Sequence, residues 1–393
     1  MMDRFRVAVR RFPPFERAIV RQWQSFCAAS GCDLPIESVA FDLNPLHATL
    51  FESGEAARGE WDVAFMPTDW IAAAQAAGLI ADLRPLMAAR PIADFPAGWA
   101  PSLLGLQDFA GGFWGMPYHD GPQCLIYRTD LLREMPRTWE EYHAAARRLH
   151  DPASGRSGTV LALYPDGHNS FYDFCVQLWS RGGTPFDAAL RPTLQTPAAM
   201  AALDFIRCLA ADRDAVPGDV RAIDSVASGL RFCEGRVALM ANWFGFAALA
   251  ETAPDSRVRG RVGIAPLPRG EGGVSVSLNV FWLLTIPAGS RRRDQAWEFL
   301  RHCATPAMDL LTTQEGGIGV RRSTWADPQV NRLVPFYHEL DKLHAVARTL
   351  PRLPRLAEAA HVIDDMLTLA VTTAAPSADL LAQAEGRISA LLA

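Results

Sequence analysis

Lysine is almost missing from this sequence. Lys342 is the only one among 38 basic residues, and the rest are arginine. Against 43 acidic residues this leaves a formal charge of −5, so the charge balance gives no reason to expect a nucleic-acid partner. Long apolar runs are missing too. No stretch reaches the roughly 18 residues that cross a bilayer as a helix. Arg4, Arg6, Arg10 and Arg11 near the N-terminus are not followed by the roughly 7–15 apolar residues of a secretory signal. The sequence as written therefore carries no signal peptide, which leaves either a removed leader or a cytoplasmic location. C-x-x-C pairs are absent, which excludes a zinc ribbon and a thioredoxin motif. The seven cysteines are an odd number, and most lie in apolar segments as small core residues. The spacing of Cys27 and Cys32 allows a local bridge.

Catalytic motifs are equally scarce. There is no phosphate-binding G-x-x-x-x-G-K-[ST] loop, and Gly316-Gly317-Ile318-Gly319 lacks the final glycine of a dinucleotide fingerprint. Gly155-Arg156-Ser157-Gly158 is not a nucleophile elbow. His338, Glu339 and His344 have the wrong spacing for two imidazoles on one helical face. His119 and Asp120 are adjacent in an extended segment, so they point to opposite sides. No catalytic residue, metal site or cofactor is expected.

What the sequence does have is alternation of strand and helix. A chain of 393 residues is too long for one domain of roughly 100–200 residues, so two lobes are expected. Phe5 to Val9 reads as a strand, followed by a helix that Pro13 and Pro14 open and Gly31 closes. Ile36 to Phe41 is a second strand, with Asn44 and Pro45 starting the next helix. Val63 to Met66 is a third, and Thr68 or Asp69 can cap a helix that ends before Gly78. Three strand–helix units in a row predict a parallel sheet. Further strands are expected at Gln123 to Tyr127, Val160 to Tyr164, Val237 to Ala241, Val262 to Ala265 and Ser277 to Ile286. Thr138 and Glu141 form a capping box before another helix. Beyond Asp327 the chain reads as almost wholly helical.

Loops at the carboxyl edge of such a sheet are where open α/β folds bind ligands. Here five corners pair an aromatic with polar groups: Thr68-Asp69-Trp70, Tyr118-His119-Asp120, His168-Asn169 with Phe171-Tyr172, Asn242-Trp243-Phe244, and Asn279 with Trp282. Taken singly, each aromatic is more often a core residue than a site residue, and Asp69 is equally explained by capping. Together they suit a sugar or polyol, which has apolar faces and a rim of hydroxyls. His119, His168, Arg11, Arg321 and Arg322 leave room for an acidic sugar.

Four segments also resemble the extracellular solute-binding proteins of ABC importers, the group of maltose-binding and other carbohydrate-binding proteins. They are WDVAFMPTDWIAAAQAAGLIADL, GGFWGMPYHDGPQCLIYRTDLL with PRTWEEYHAAARRL, FCEGRVALMANWFGF, and LNVFWLLTIPAGSRRRDQAWEFLRH. The resemblance implies a two-lobe periplasmic-binding-protein-like fold of type II, with the ligand cleft between lobes and a helical C-terminal region. Its implied lobes are 1–118 with 262–306, and 119–261 with 307–393. Hinges would lie near Tyr118 to Gly121, Val262 to Pro266 and Ala304 to Leu310. By position, ligand contacts fall on Asp69 and Trp70 from the first lobe. From the second they fall on His119, Asp120, Phe171, Tyr172, Asn242 and Trp243. Trp282 takes the place of a first-lobe tryptophan, and Arg11, Phe12 and Asp42 are further transfers. The implied function is capture of a carbohydrate by hinge closure, without catalysis, in a periplasmic monomer that delivers it to membrane permease subunits. A cytoplasmic sensor on the same scaffold, or a glycoside-processing enzyme using Asp69 and Asp120, are the alternatives.

Overall fold

The structure is a computed structural model and describes residues 4–393. It divides into two compact units. The first runs from the N-terminus to Gly121 and resumes at Val280–Asp341; the second comprises Pro122–Asn279 and Lys342–Ala393. The expected boundaries near 262 and 307 are corrected by pairing that local sequence does not reveal. Val262–Ala265 is hydrogen-bonded antiparallel to Gln123–Arg128, so it belongs to the second unit. The helix Pro306–Gln314 packs on the first helix, Pro13–Ser30, so the first unit continues to Asp341. His119 and Asp120 consequently stand in the first unit, not the second.

The first unit is built on a five-stranded sheet in the order Ile36–Phe41, Phe5–Arg10, Val63–Pro67, Trp282–Thr285, Met116–His119. The first three strands are parallel, as their strand–helix alternation predicts. Trp282–Thr285 runs antiparallel to both neighbours, which makes the sheet mixed. The expected single strand from Ser277 to Ile286 is therefore two. Ser277–Leu278 pairs with Ala347–Arg348 in the second unit, and only Trp282–Thr285 joins this sheet.

The helix Pro13–Ser30 buries Phe15, Ala18, Ile19, Gln22, Trp23 and Phe26, a stripe at helical spacing. Its entry uses proline in the first turn, where no N–H partner is lost. Trp23 stacks on Phe5 of the sheet with ring centroids 4.1 Å apart and meets Phe299 edge-on at 5.0 Å. The next helix, Leu43–Phe51, has Asp42 rather than Asn44 at its N-cap. After Val63–Pro67 the chain makes a tight turn over Thr68–Trp70 and then the helix Ile71–Ala76, with no side-chain cap at either start. Gly78 takes the left-handed conformation, φ 65°.

The second unit centres on an antiparallel sheet in the order Leu239–Trp243, Gln123–Arg128, Val262–Ala265. The capping box at Thr138 and Glu141 forms as its sequence predicts and starts Trp139–Leu149. Val160 to Tyr164 is not a strand of this sheet. It has no regular secondary structure, and Leu163 and Tyr164 donate their N–H groups to the carbonyls of Val220 and Ile223. The strand expected at 237–241 lies at Leu239–Trp243, which brings Asn242 and Trp243 into the ladder. Four helices, Asn169–Trp179, Pro197–Ala211, Leu356–Thr372 and Ser377–Leu392, pack on one another. The last segment begins at the exposed Lys342. All seven cysteines are free thiols, so Cys27 and Cys32 are not bridged.

Removing the indole that locks helix to sheet should leave a cavity. Trp23→Ala is expected to lower stability by about 3–5 kcal/mol. A shift in the urea midpoint corresponding to less than about 1 kcal/mol would show that this contact is not a main anchor.

Candidate functional site

In the first unit, strand polarity collects the expected residues along one edge. Arg11 and Phe12 follow the first strand, Asp42 the second, and Thr68 and Asp69 the third. Trp282 starts an antiparallel strand, so it lies in register with Pro67 on one side and His119 on the other. Around Phe15 the rings converge: Phe12 at 5.0 Å, His119 at 4.7 Å and Trp282 at 6.0 Å, all edge-on. Arg11 and Asp42 face each other at 3.7 Å and are both exposed, and Arg10 approaches the same carboxylate at 3.5 Å.

Two residues of the corner after Val63–Pro67 have structural contacts. The N–H of Thr68 donates to the Phe281 carbonyl at 3.0 Å, and the Phe281 N–H donates to Thr68 Oγ1 at 3.3 Å. Trp70 is turned into the interior, 4 % exposed, edge-on to His47 at 4.9 Å and Phe51 at 6.0 Å. Asp69, between them, is partly exposed.

His119 is held by the segment after Pro306–Gln314. The Ile318 N–H donates to His119 Nδ1 at 2.8 Å, and the Asp120 N–H donates to the Ile318 carbonyl at 3.0 Å. With Nδ1 accepting, the neutral imidazole carries its proton on Nε2. Burial pushes the His119 pKa down to about 4, against a smaller opposing effect of Asp120. The strand behind it is fixed by Gln22, which is fully buried. Its amide donates to Met308 O at 3.0 Å and Thr312 Oγ1 at 2.9 Å, and its carbonyl accepts from the Tyr118 hydroxyl at 2.9 Å.

Arg321 does not serve the anion role that its charge suggested. It is buried, donates to the Ala304 carbonyl at 2.7 Å and to the Asp94 carboxylate, and lies 4.3 Å over the Trp99 ring. Asp309, also buried, accepts from the backbone of Val320 and Arg321 and from Thr324 Oγ1. These groups shape the turn that carries Ile318.

In the second unit, Gln123 opens one strand in register with Trp243 at the end of its antiparallel neighbour. Tyr172, on the helix Asn169–Trp179, meets Trp243 edge-on at 5.8 Å and pairs its hydroxyl with His168 Nδ1 at 2.7 Å. His168, Tyr172 and Trp243 thus form one cluster. Phe171 lies behind it, 1 % exposed. Asn242 is taken up structurally: its amide donates to Ser225 O and Ser228 Oγ, and its carbonyl accepts from the Trp243 N–H. Asn279 is fully buried, and both polar atoms of its side chain lack a partner within the protein.

Sequence reasoning missed Gln123 and Asp173. Gln123 Nε2 donates to Asp173 Oδ1 at 3.4 Å, while its own Oε1 is buried without a partner. Burial pushes Asp173 up to about 7, with Gln123 opposing and Asp166 assisting. The signal was a carboxylate inside the otherwise apolar run Phe171-Tyr172-Asp173-Phe174. Among the described residues, no group of three or more His, Cys, Asp or Glu side chains is placed to hold a metal ion.

Comparison with known proteins follows the same lines. The sequence profile described as bacterial extracellular solute-binding protein matches residues 48–309, more than half of the chain. A "Probable ABC transporter-binding protein" of Deinococcus radiodurans is 26% identical over 260 residues, covering 63% of this chain and 61% of its own length. The chain thus spans about three-fifths of that relative. Among solved structures, maltose-bound MalE3 of T. maritima has a TM-score of 0.89 at 23% identity, covering 99% of this chain and 100% of its own. An ABC transporter solute-binding protein from Agrobacterium radiobacter K84, in complex with ribitol, has a TM-score of 0.87 at 22% identity over 99% of both chains. The fold is the two-lobe, type II arrangement of periplasmic binding proteins.

Two pH effects are expected. His119 has a folded pKa of about 4, below the ordinary value of about 6.5. Its contribution is present above pH ~6.5 and is lost as pH falls toward about 4. His119→Gln should flatten that part of the acid limb of the stability curve; an unchanged limb in urea titrations would contradict it. Asp173 works in the opposite sense. Its folded pKa of about 7 exceeds the unfolded ~3.9, so its contribution is full below pH ~4 and is lost as pH rises to about 7. Asp173→Asn should raise the Tm at pH ~8 more than at pH ~4; equal changes at both would count against a protonated Asp173.

Proposed function

Because the chain belongs to the bacterial extracellular solute-binding protein family, we propose that it is the ligand-binding component of an ABC importer and that its ligand is a sugar or polyol. The observation that carries this reading is the placing of a partly exposed tryptophan beside polar groups at one sheet edge of each unit. Trp282 stands beside His119, and Trp243 beside Tyr172 and His168. An indole face covers the C–H surface of a sugar, while imidazole, phenol and carboxylate groups satisfy its hydroxyls. The buried, unpaired amide of Asn279 supplies a donor and an acceptor that call for a partner.

On this reading Phe12, His119, Asp120, Asp69 and Trp282 are the ligand contacts of the first unit, and His168, Tyr172, Trp243, Asn279 and Gln123 are those of the second. Arg11 and Asp42 stand at the rim. Thr68, Trp70, Phe171 and Asn242 act behind them, through the contacts described above. Binding is coupled to hinge motion of the units, and the loaded form engages permease subunits outside the cytoplasm. The ligand is released unaltered.

Calorimetry against maltose, ribitol, mannitol and glucuronate tests the ligand class. A neutral sugar or polyol should bind at least tenfold tighter than the acid, and Trp243→Ala should weaken it by at least about tenfold, roughly 1.4 kcal/mol. No binding to any sugar or polyol, or an affinity unchanged in Trp243→Ala, would overturn the reading. Superimposable X-ray scattering profiles with and without saturating ligand would remove the hinge motion from it.

A further inference from the structure

We propose that Cys27 and Cys32 form a redox-active dithiol, a modification site at the end of the first helix that a disulfide oxidant closes into an intramolecular bridge. The local backbone brings the two together. Gly31 closes Pro13–Ser30 in the left-handed conformation, φ 74° and ψ 14°, and donates its N–H to the Cys27 carbonyl at 2.9 Å. Such a cap turns the chain back over the last helical turn. Cys27 belongs to that turn, and Cys32 is the residue that follows the glycine.

Cys32 is held from two sides. Its N–H donates to Ser30 Oγ at 3.3 Å, and its sulfur accepts from Gln295 Nε2 at 3.1 Å. The Cys32 side chain lies close enough to the Cys27 thiol to oppose its ionisation. Both sulfurs are free and both residues are partly exposed, whereas Cys124, Cys175, Cys233 and Cys303 are buried. Cys208 is exposed, on the helix Pro197–Ala211 of the other unit. The pair at 27 and 32 is therefore both accessible and prearranged.

The thiolate is the reacting form. Burial, with the neighbouring Cys32, pushes the Cys27 thiol up to about 11, so Cys32, whose sulfur faces an amide donor, is the attacking residue. With glutathione disulfide, the Cys32 thiolate attacks one sulfur and expels a glutathione thiolate, leaving a mixed disulfide. Cys27 then loses its proton, attacks the Cys32 sulfur and expels the second glutathione. Two protein thiols and one glutathione disulfide become one protein disulfide and two glutathione molecules. The helix starts at the edge that carries Phe12 and rises about 27 Å over its 18 residues. The bridge thus forms at the far end from the proposed ligand contacts.

The test uses the purified full chain equilibrated with glutathione disulfide near neutral pH, then alkylated and digested with trypsin. The peptide Gln22–Arg58 contains Cys27 and Cys32 and no other cysteine. It should lose about 2 Da, the two thiol hydrogens, and take up no alkyl group. Dithiothreitol should restore two alkylation sites. In Cys27→Ser, Cys32 should instead retain a glutathione adduct, because its resolving partner is gone. If both cysteines of the unmutated chain stay open to alkylation, or each carries its own glutathione, the proposal fails. The outcome is independent of whether the chain binds a sugar.

Discussion

A single buried amide, that of Gln22, holds together the parts of the first unit on which its ligand-facing edge depends. It lies on the inner face of Pro13–Ser30, donates to Met308 O and Thr312 Oγ1, and accepts from Tyr118. The Cys303 thiol also donates to the Gln22 side-chain carbonyl at 3.8 Å, so all four hydrogen-bonding positions of the amide are occupied in a place that water does not reach. The consequence is geometric. The strand that ends in His119, the helix that starts beside Phe12, and the helix whose following turn presents Ile318 are locked to one another through one side chain. Replacing that amide with an apolar residue would remove all of these links at once from a buried place, where each hydrogen bond counts for more than at the surface.

The second unit solves the same problem with a carboxylate. Asp364, on the helix Leu356–Thr372, accepts from the Gly167 N–H at 2.6 Å and from Ser170 Oγ. This ties the loop bearing His168 to the C-terminal helices. Asp166 gathers the N–H groups of His168 and Asn169 at 2.9 and 3.0 Å, so the loop is bracketed by two acids. The helical C-terminal region is thus part of what orients His168 and Tyr172.

The elements that local chemistry determines were legible: the first three strands, the proline-opened helix with its Gly31 end, and the capping box at Thr138 and Glu141. What was not legible depends on partners distant in sequence. The run from Ser277 to Ile286 reads as one strand because β-type residues fill it; that its two ends pair with different sheets follows from Arg348 and Met66, which the run itself does not encode. Trp70 illustrates the limit for the site. Its corner matches an aromatic beside polar groups, yet the indole is directed to His47 and Phe51 by the tight turn at Thr68–Trp70. Trp243 and Trp282 look similar in sequence, but they occupy strand ends in register with Gln123 and with Pro67 and His119. Arg321, with the same charge as any surface arginine, is withdrawn from solvent by Trp99 and Asp94.

The position of Lys342 has a practical bearing. It is the only lysine in the chain, is exposed, and starts the segment in which the chain re-enters the second unit. Amine-directed chemistry, whether acylation by a fluorophore ester or tethering to a surface, has one lysine side chain of this sequence to act on. That side chain lies at a crossover, away from Trp282 and Trp243 in the sequence. A dye placed there labels the second unit at one defined position while the proposed binding residues keep their native chemistry.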